Sequence, residues 1–256
     1  MDIQGQAALV TGAGSGLGEA VARALVAAGA RVALLDINEA AARRVADDLG
    51  ANALALRCDI ADAASATAAL DAAAAAHGPA RILMNIAGVG GAKRVIQRDG
   101  SPAPLEDFER TLRINLVGTY NMVRLFAARA AALEEGTDGE RGVIVNTASV
   151  AAFDGQVGQE AYAASKAGVA GMTLPLARDL AQWGIRVCTI APGIFATPLL
   201  KELPEAVQQS LAQSIPFPKR LGDPAEFAAL AVHIATNGHL NGEVIRLDGA
   251  LRMAPR

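Results

Sequence analysis

Ala7-Ala8-Leu9-Val10-Thr11-Gly12-Ala13-Gly14-Ser15-Gly16-Leu17-Gly18 decides the fold. A short aliphatic run reads as a buried strand, the glycines as a loop and residues 17–28 as an amphipathic helix, which is the context a dinucleotide fingerprint requires. Gly12 permits a tight turn, Gly16 a close backbone approach to pyrophosphate, and Gly18 the packing of helix on strand. The helix N-terminus adds free N–H groups and a partial positive charge. The loop residues expected at the cofactor are Gly12, Ser15, Gly16 and Leu17.

The next strand, 31–36, ends in Asp36, close to the expected 20 residues beyond the loop. Its carboxylate can accept both ribose hydroxyls and repels a 2′-phosphate, and Arg43 and Arg44 come only two helical turns later, so NAD is expected over NADP. Asp59-Ile60, after strand 53–57, are placed to hydrogen-bond and cover the adenine ring; alternatively Asp59 caps the following helix.

Further out, strands 81–85, 143–147, 185–190 and 243–247 alternate with helices 39–49, 62–76, 105–133, 160–182 and 224–236. That rhythm predicts an α/β fold, a single-domain Rossmann-type doubly wound sheet of about seven parallel strands flanked by helices. No Pro/Gly/Ser-rich linker interrupts it, so residues 1–256 form one domain. The irregular stretches 88–104 and 192–219 follow strands, where loops build sites. With Pro198, Pro204, Pro216 and Pro218 around a short helical run, about 194–219 reads as a substrate lid.

Composition narrows the partners. With 52% hydrophobic and 19% charged residues the chain supports a packed core, and a net charge of −3 argues against nucleic acid. The alanine-rich run 61–76 is broken by Asp62 and Asp71, so no membrane span is expected. No Lys or Arg precedes Arg23, which suggests a cytoplasmic protein without a leader. Cys58 and Cys188 read as buried thiols, and the dispersed His77, His233 and His239 predict no metal site.

Chemistry is concentrated at Tyr162-Ala-Ala-Ser165-Lys166, where residues four apart share a helix face and set an ammonium beside a phenol. Only about one tyrosine in a thousand is ionised at pH 7, and lowering the phenol pKa to near 7, as a tyrosine base requires, takes about 4 kcal/mol. A unit charge about 4 Å away supplies that at an effective dielectric of 20. Ser149, after the strand ending Asn146-Thr147, is placed to hydrogen-bond a substrate carbonyl.

Taken together, Thr11-Gly12-x-x-x-Gly16-Leu17-Gly18, Asn85-Ile86-Ala87-Gly88, Asn115, Ser149, Tyr162-x-x-x-Lys166 and Pro192-Gly193 resemble the short-chain dehydrogenase/reductase family over nearly the whole chain. The resemblance implies Tyr162 as acid/base, Lys166 lowering its pKa and holding the nicotinamide ribose, Ser149 orienting the carbonyl and Asn115 supporting a relay water. It also brings Asn85, Ile86 and Ala87 to the cofactor, Ile86 standing where the family often has a second Asn.

A narrower likeness, to members acting on 3-hydroxyacyl-CoA, lies in Ser149–Gln159, Ile190–Pro198, Ile215–Gly222, Leu240–Gly249 and the mid-helix Pro175. It implies Phe195 and Thr197 near the nicotinamide, and Gln159 with Ser149 and Tyr162 at the substrate. The implied activity is NAD-dependent hydride transfer at the 3-hydroxyl or 3-keto carbon of a short or branched acyl-CoA. The alternatives are a hydroxysteroid or other secondary-alcohol dehydrogenase and a non-catalytic cofactor-binding scaffold. Loop 89–104, with Lys93, Arg94 and Arg98, either holds coenzyme A phosphates or is a solvated loop. The long helices 105–133 and 160–182 are apolar around much of their circumference, and the family implies a homotetramer through them.

Overall fold

Seven strands hydrogen-bond into one sheet in the computed structural model, which describes residues 1–255. They are β1 (Ala7–Thr11), β2 (Arg31–Asp36), β3 (Ala53–Arg57), β4 (Ala80–Asn85), β5 (Gly142–Thr147), β6 (Ile185–Pro192) and β7 (Val244–Leu247). Their order is β3-β2-β1-β4-β5-β6-β7, with every pairing parallel. The order reverses between β1 and β4, and the crevice beyond the carboxyl ends of such strands is where an open α/β sheet takes its ligand.

The intervening helices are α1 (Gly16–Ala27), α2 (Glu39–Leu49), α3 (Ala63–His77), α4 (Leu105–Leu112), α5 (Thr119–Ala130), α6 (Glu160–Leu180), α7 (Pro198–Lys201), α8 (Glu205–Gln213) and α9 (Pro224–Thr236). Successive strand residues face opposite sides. Val10, Leu34 and Ile82 therefore pack with Val21 and Leu25 of α1 and Phe227 of α9, while Leu9, Leu35 and Leu83 pack with Leu70 of α3 and Met122 and Phe126 of α5. Because both faces are covered, the strands are continuously apolar rather than alternating.

Capping fixes where helices start. Asn38 accepts from Ala41 N–H at 3.2 Å to open α2, and Asp223 with Glu226 forms a reciprocal capping box on α9. Asp62, not Asp59, caps α3, accepting from Ser65 N–H at 2.7 Å. Asp59 instead accepts from Ala61 N–H at 2.9 Å.

Two expectations are refined. The helix over 105–133 divides into α4 and α5 around a π-helical stretch, Arg113–Gly118. There Thr119 Oγ1 donates to the carbonyl of Asn115 at 2.7 Å, and a Cβ at Gly118 would stand 2.8 Å from Ile60. The lid region contains two helices, α7 and α8, rather than one short run. Among the described residues no helix is long and apolar enough to cross a membrane.

Candidate active site

The glycine loop turns sharply out of β1 because Gly12 and Gly16 adopt φ of +65° and +56°, which side chains disfavour. At Gly18 a Cβ would lie 2.1 Å from the Gly12 carbonyl oxygen, so only glycine lets α1 start this close to the strand. Ser15, the N-cap residue of α1, makes no capping bond with its side chain.

Above this loop opens a cleft of about 740 Å³, lined by Gly12, Ser15, Gly16 and Leu17, by Asp36 and Ile37, and by Asp59 and Ile60. Ile86, Ala87, Gly88 and Val89 close one side, and Thr197 and Pro198 the other. Asp36 is held rigidly: Oδ2 accepts from Gly14 N–H and Oδ1 from Asn38 N–H, both at 2.9 Å. The volume, the free helix N-terminus, the glycine cradle and the fixed carboxylate together fit a dinucleotide.

Four expected cofactor residues, Asn85, Tyr162, Lys166 and Phe195, lie outside this lining. Asn85 Nδ2 donates to Asn146 Oδ1 at 2.9 Å, because β4 and β5 pair in the register that sets these residues side by side. Phe195 is buried and packs edge-on against Phe227, with ring centres 6.2 Å apart, so it supports the start of the lid from beneath.

Ser149 follows β5, and its hydroxyl accepts from Ala151 N–H at 3.2 Å. Tyr162 and Lys166 stand one turn apart on α6. Lys166 is buried, donates from Nζ to the Thr147 carbonyl at 2.7 Å and lies 5.9 Å from the centre of the Tyr162 ring. Burial pulls its ammonium down to about 8. Burial also pushes the Tyr162 phenol above its ordinary value, and the Ser149 hydroxyl draws it partly back. The lysine's hydrogen bond goes to Thr147 rather than to the phenol, so the close pairing expected from sequence spacing is looser than a direct contact.

Asn115 sits in the π-helical stretch, where it is fully buried. Its Nδ2 donates to Val89 O at 2.9 Å and Ser165 Oγ at 3.0 Å, and its Oδ1 accepts from Val89 N–H at 2.8 Å. It thus ties the exit of β4 to α6. A Cβ at Gly88 would stand 3.1 Å from Asn115 Oδ1 and 3.4 Å from Lys166 Nζ, so the glycine leaves space between these two groups. Gln159 closes its own turn, Oε1 accepting from Gln156 N–H at 3.1 Å.

Sequence reasoning missed Arg110 and Arg113, which line the cofactor cleft from α4 and the π-helical stretch. Their spacing of three places both on one helix side just before Asn115, a signal that was present. Arg110 also lines a neighbouring pocket of about 420 Å³ between loop 89–104, α4 and Gly158–Ala161. Within that loop Lys93 is ion-paired with Asp107, whose carboxyl is held below its ordinary range by this partner.

The sequence matches the profile of the short chain dehydrogenase family over residues 6–208. It is 52% identical over 254 residues to a 3-hydroxyacyl-CoA dehydrogenase type-2 of Drosophila melanogaster, covering 99% of this chain and 100% of that one. The structure is similar to the 3-hydroxyacyl-CoA dehydrogenase type-2 from Mycobacterium avium, with a TM-score of 0.93 and 45% identity over 100% of both chains. It is also similar to a 3-ketoacyl-(acyl-carrier-protein) reductase from Brucella melitensis complexed with NADH, at a TM-score of 0.85 and 32% identity, covering 98% of this chain and 100% of that one.

Proposed function

The chain belongs to the short chain dehydrogenase family, and we propose that it is an NAD-dependent dehydrogenase acting on the 3-hydroxyl of short or branched acyl-CoA thioesters. It is an oxidoreductase with a nicotinamide cofactor. The observation that carries the reading is Tyr162 beside Ser149, with the Lys166 ammonium sealed behind it, next to a dinucleotide-sized cleft.

When bound, the nicotinamide supplies the hydride acceptor in oxidation and the donor in reduction. Ser149 Oγ donates to the substrate oxygen and holds it against Tyr162. In reduction Tyr162 Oη gives its proton to that oxygen; in oxidation the phenolate removes it. The raised phenol pKa favours the protonated, reduction-ready form, and the Lys166 ammonium, 5.9 Å from the centre of the Tyr162 ring, is placed to stabilise the phenolate. Asn115 and Gly88 frame a space beside Lys166 Nζ suited to a water that restores the proton.

A preference for NAD over NADP is supported by the surroundings of Asp36. Arg44 donates to Gly14 O at 3.1 Å and pairs with Glu19 at 3.5 Å, and Arg43 pairs with Glu39 at 2.5 Å, so these cations are committed elsewhere. A 2′-phosphate would meet the Asp36 carboxylate.

The thioester reading draws on the names of the relatives and on Arg110, which lines both the cleft and the neighbouring pocket. With Lys93 engaged by Asp107, Arg110, together with the exposed Arg94 and Arg98, is the cationic handle for coenzyme A phosphates. A hydroxysteroid reading is favoured by the apolar lining of that same pocket, Val95, Pro102, Leu105 and Phe108. NADH oxidation with acetoacetyl-CoA, a ketosteroid and a free 3-keto acid separates them. The thioester is expected to give the highest kcat/KM, and Arg110→Ala to raise its KM about tenfold while sparing the free acid. A steroid turned over as well or better overturns the reading.

A homotetramer is supported by the exposed Leu105, Val117 and Tyr120 before and within α5 and Leu174 on α6. The buried free thiols of Cys58 and Cys188 fit a reducing compartment such as the cytoplasm.

A further inference from the structure

Ser149 and Tyr162 are separated by a loop, 153–159, with no regular structure of its own. Gln156 and Gln159 close one turn within it, Gln159 N–H donating to Gln156 O at 2.9 Å, and the rest of its shape depends on what it touches. On its inner side Gly158 O accepts from Lys93 N–H at 2.7 Å. On its outer side lies the C-terminal tail: Val157 N–H donates to Pro255 O at 3.0 Å and Gln156 Nε2 to Ala254 O at 2.9 Å.

One guanidinium secures both. Arg246, on β7, donates from Nη2 to Asp154 Oδ2 at 2.6 Å and to Leu251 O at 2.9 Å, and from Nε to Asp248 Oδ2 at 2.7 Å. Its Cζ lies 5.4 Å from the centre of the Phe153 ring. The fork of an arginine thereby joins the loop, the end of β7 and the root of the tail, and Leu251 is buried to anchor that root. Asp154, held below its ordinary carboxyl range by Arg246, stays ionised for the contact.

We propose that the tail Leu251–Pro255, clamped by Arg246, is a positioning element for substrate, setting the shape of loop 153–159 and with it the wall between Ser149 and Tyr162. Neither the tail nor Arg246 touches the reacting atoms; both act through the loop. The proposal rests on the reading of Ser149 and Tyr162 as the reacting groups. It differs from a packing role because the hydrogen bonds described for residues 254 and 255 both go to this loop rather than to the sheet.

The test compares the full chain with a chain ending at Arg252, and with Gln156→Ala, Arg246→Lys and Arg246→Met. Measured are KM and kcat for acetoacetyl-CoA, the Kd of NADH by fluorescence, and hydrogen exchange at Val157. Truncation and Gln156→Ala are expected to raise KM about tenfold, the scale of one lost hydrogen bond, with kcat and the NADH Kd within about threefold. Exchange at Val157 is expected to rise at least about tenfold, because its amide loses its acceptor. Arg246→Lys, which keeps the charge, is expected to fall between wild type and Arg246→Met. A truncated chain with unchanged KM and unchanged exchange overturns the proposal, as does a parallel rise in KM and NADH Kd, which marks general loosening. If the full chain turns over none of the substrates, the enzymatic reading fails by itself, and unchanged exchange at Val157 alone then decides against the tail.

Discussion

Lys166 Nζ lies 5.9 Å from the centre of the Tyr162 ring and gives its hydrogen bond to the carbonyl of Thr147 at 2.7 Å. The end of β5 thus holds the ammonium in place, and burial lowers it to about 8 while raising the phenol. Reduction needs a protonated phenol and a charged lysine. Reductive kcat/KM is therefore expected to be flat up to about pH 7.5 and to fall above about pH 8, approaching tenfold per pH unit. Initial rates across pH check this; a reductive rate still rising at about pH 9 contradicts it. The linked stability effect has a fixed sign. Between about 8 and the ordinary lysine value of 10.5 the unfolded chain binds the proton that the native chain has lost, so this group's penalty on folding, complete below that window, is relieved as pH rises through it.

Asp36 takes two backbone N–H bonds and faces the cleft, while Arg43 and Arg44 are engaged by Glu39 and Glu19. Wild type is expected to prefer NADH to NADPH by about 100-fold or more, and Asp36→Asn to narrow that ratio by about tenfold, because the amide keeps an acceptor but loses the repulsion of phosphate. The ratio of kcat/KM for the two cofactors is the measurement. Equal use of both by wild type contradicts the assignment.

Gly18 and Gly171 make a matched pair. A Cβ at Gly18 meets the Gly12 carbonyl oxygen at 2.1 Å, whereas one at Gly171 on α6 meets nothing within 4 Å. Gly18→Ala is expected to cost about 3 kcal/mol or more and to lower Tm by about 6–12 °C. Gly171→Ala is expected to stabilise by about 0.5–1 kcal/mol through helix propensity. Thermal melts of both distinguish a packing requirement from tolerance of any small residue.

What was legible in the sequence was what is local. β1 and β2 emerge over the expected residues because aliphatic runs are bounded by glycine and by a helix start, and Asp36 falls at the end of β2 for the same reason. Tyr162 and Lys166 share a helix face because α6 is continuous there. What escaped depends on partners far along the chain. Asn85 turns to Asn146 only because of strand register, and Lys93 is engaged by Asp107 only because the loop folds back on α4. The π-helical stretch that positions Asn115 does not alter apolar periodicity enough to be read. Gln156 meets the tail across 98 residues, a relation no local pattern carries.

The most direct test of the central claim, that Tyr162 transfers the proton coupled to hydride transfer, is single-turnover NADH oxidation by Tyr162→Phe with acetoacetyl-CoA, alongside NADH binding. The phenyl ring preserves the packing beside Lys166 and removes only the hydroxyl. The account predicts NADH affinity within about twofold of wild type and a rate lower by at least about 10³-fold. A Tyr162→Phe enzyme that binds NADH normally and turns over within tenfold of wild type would contradict it.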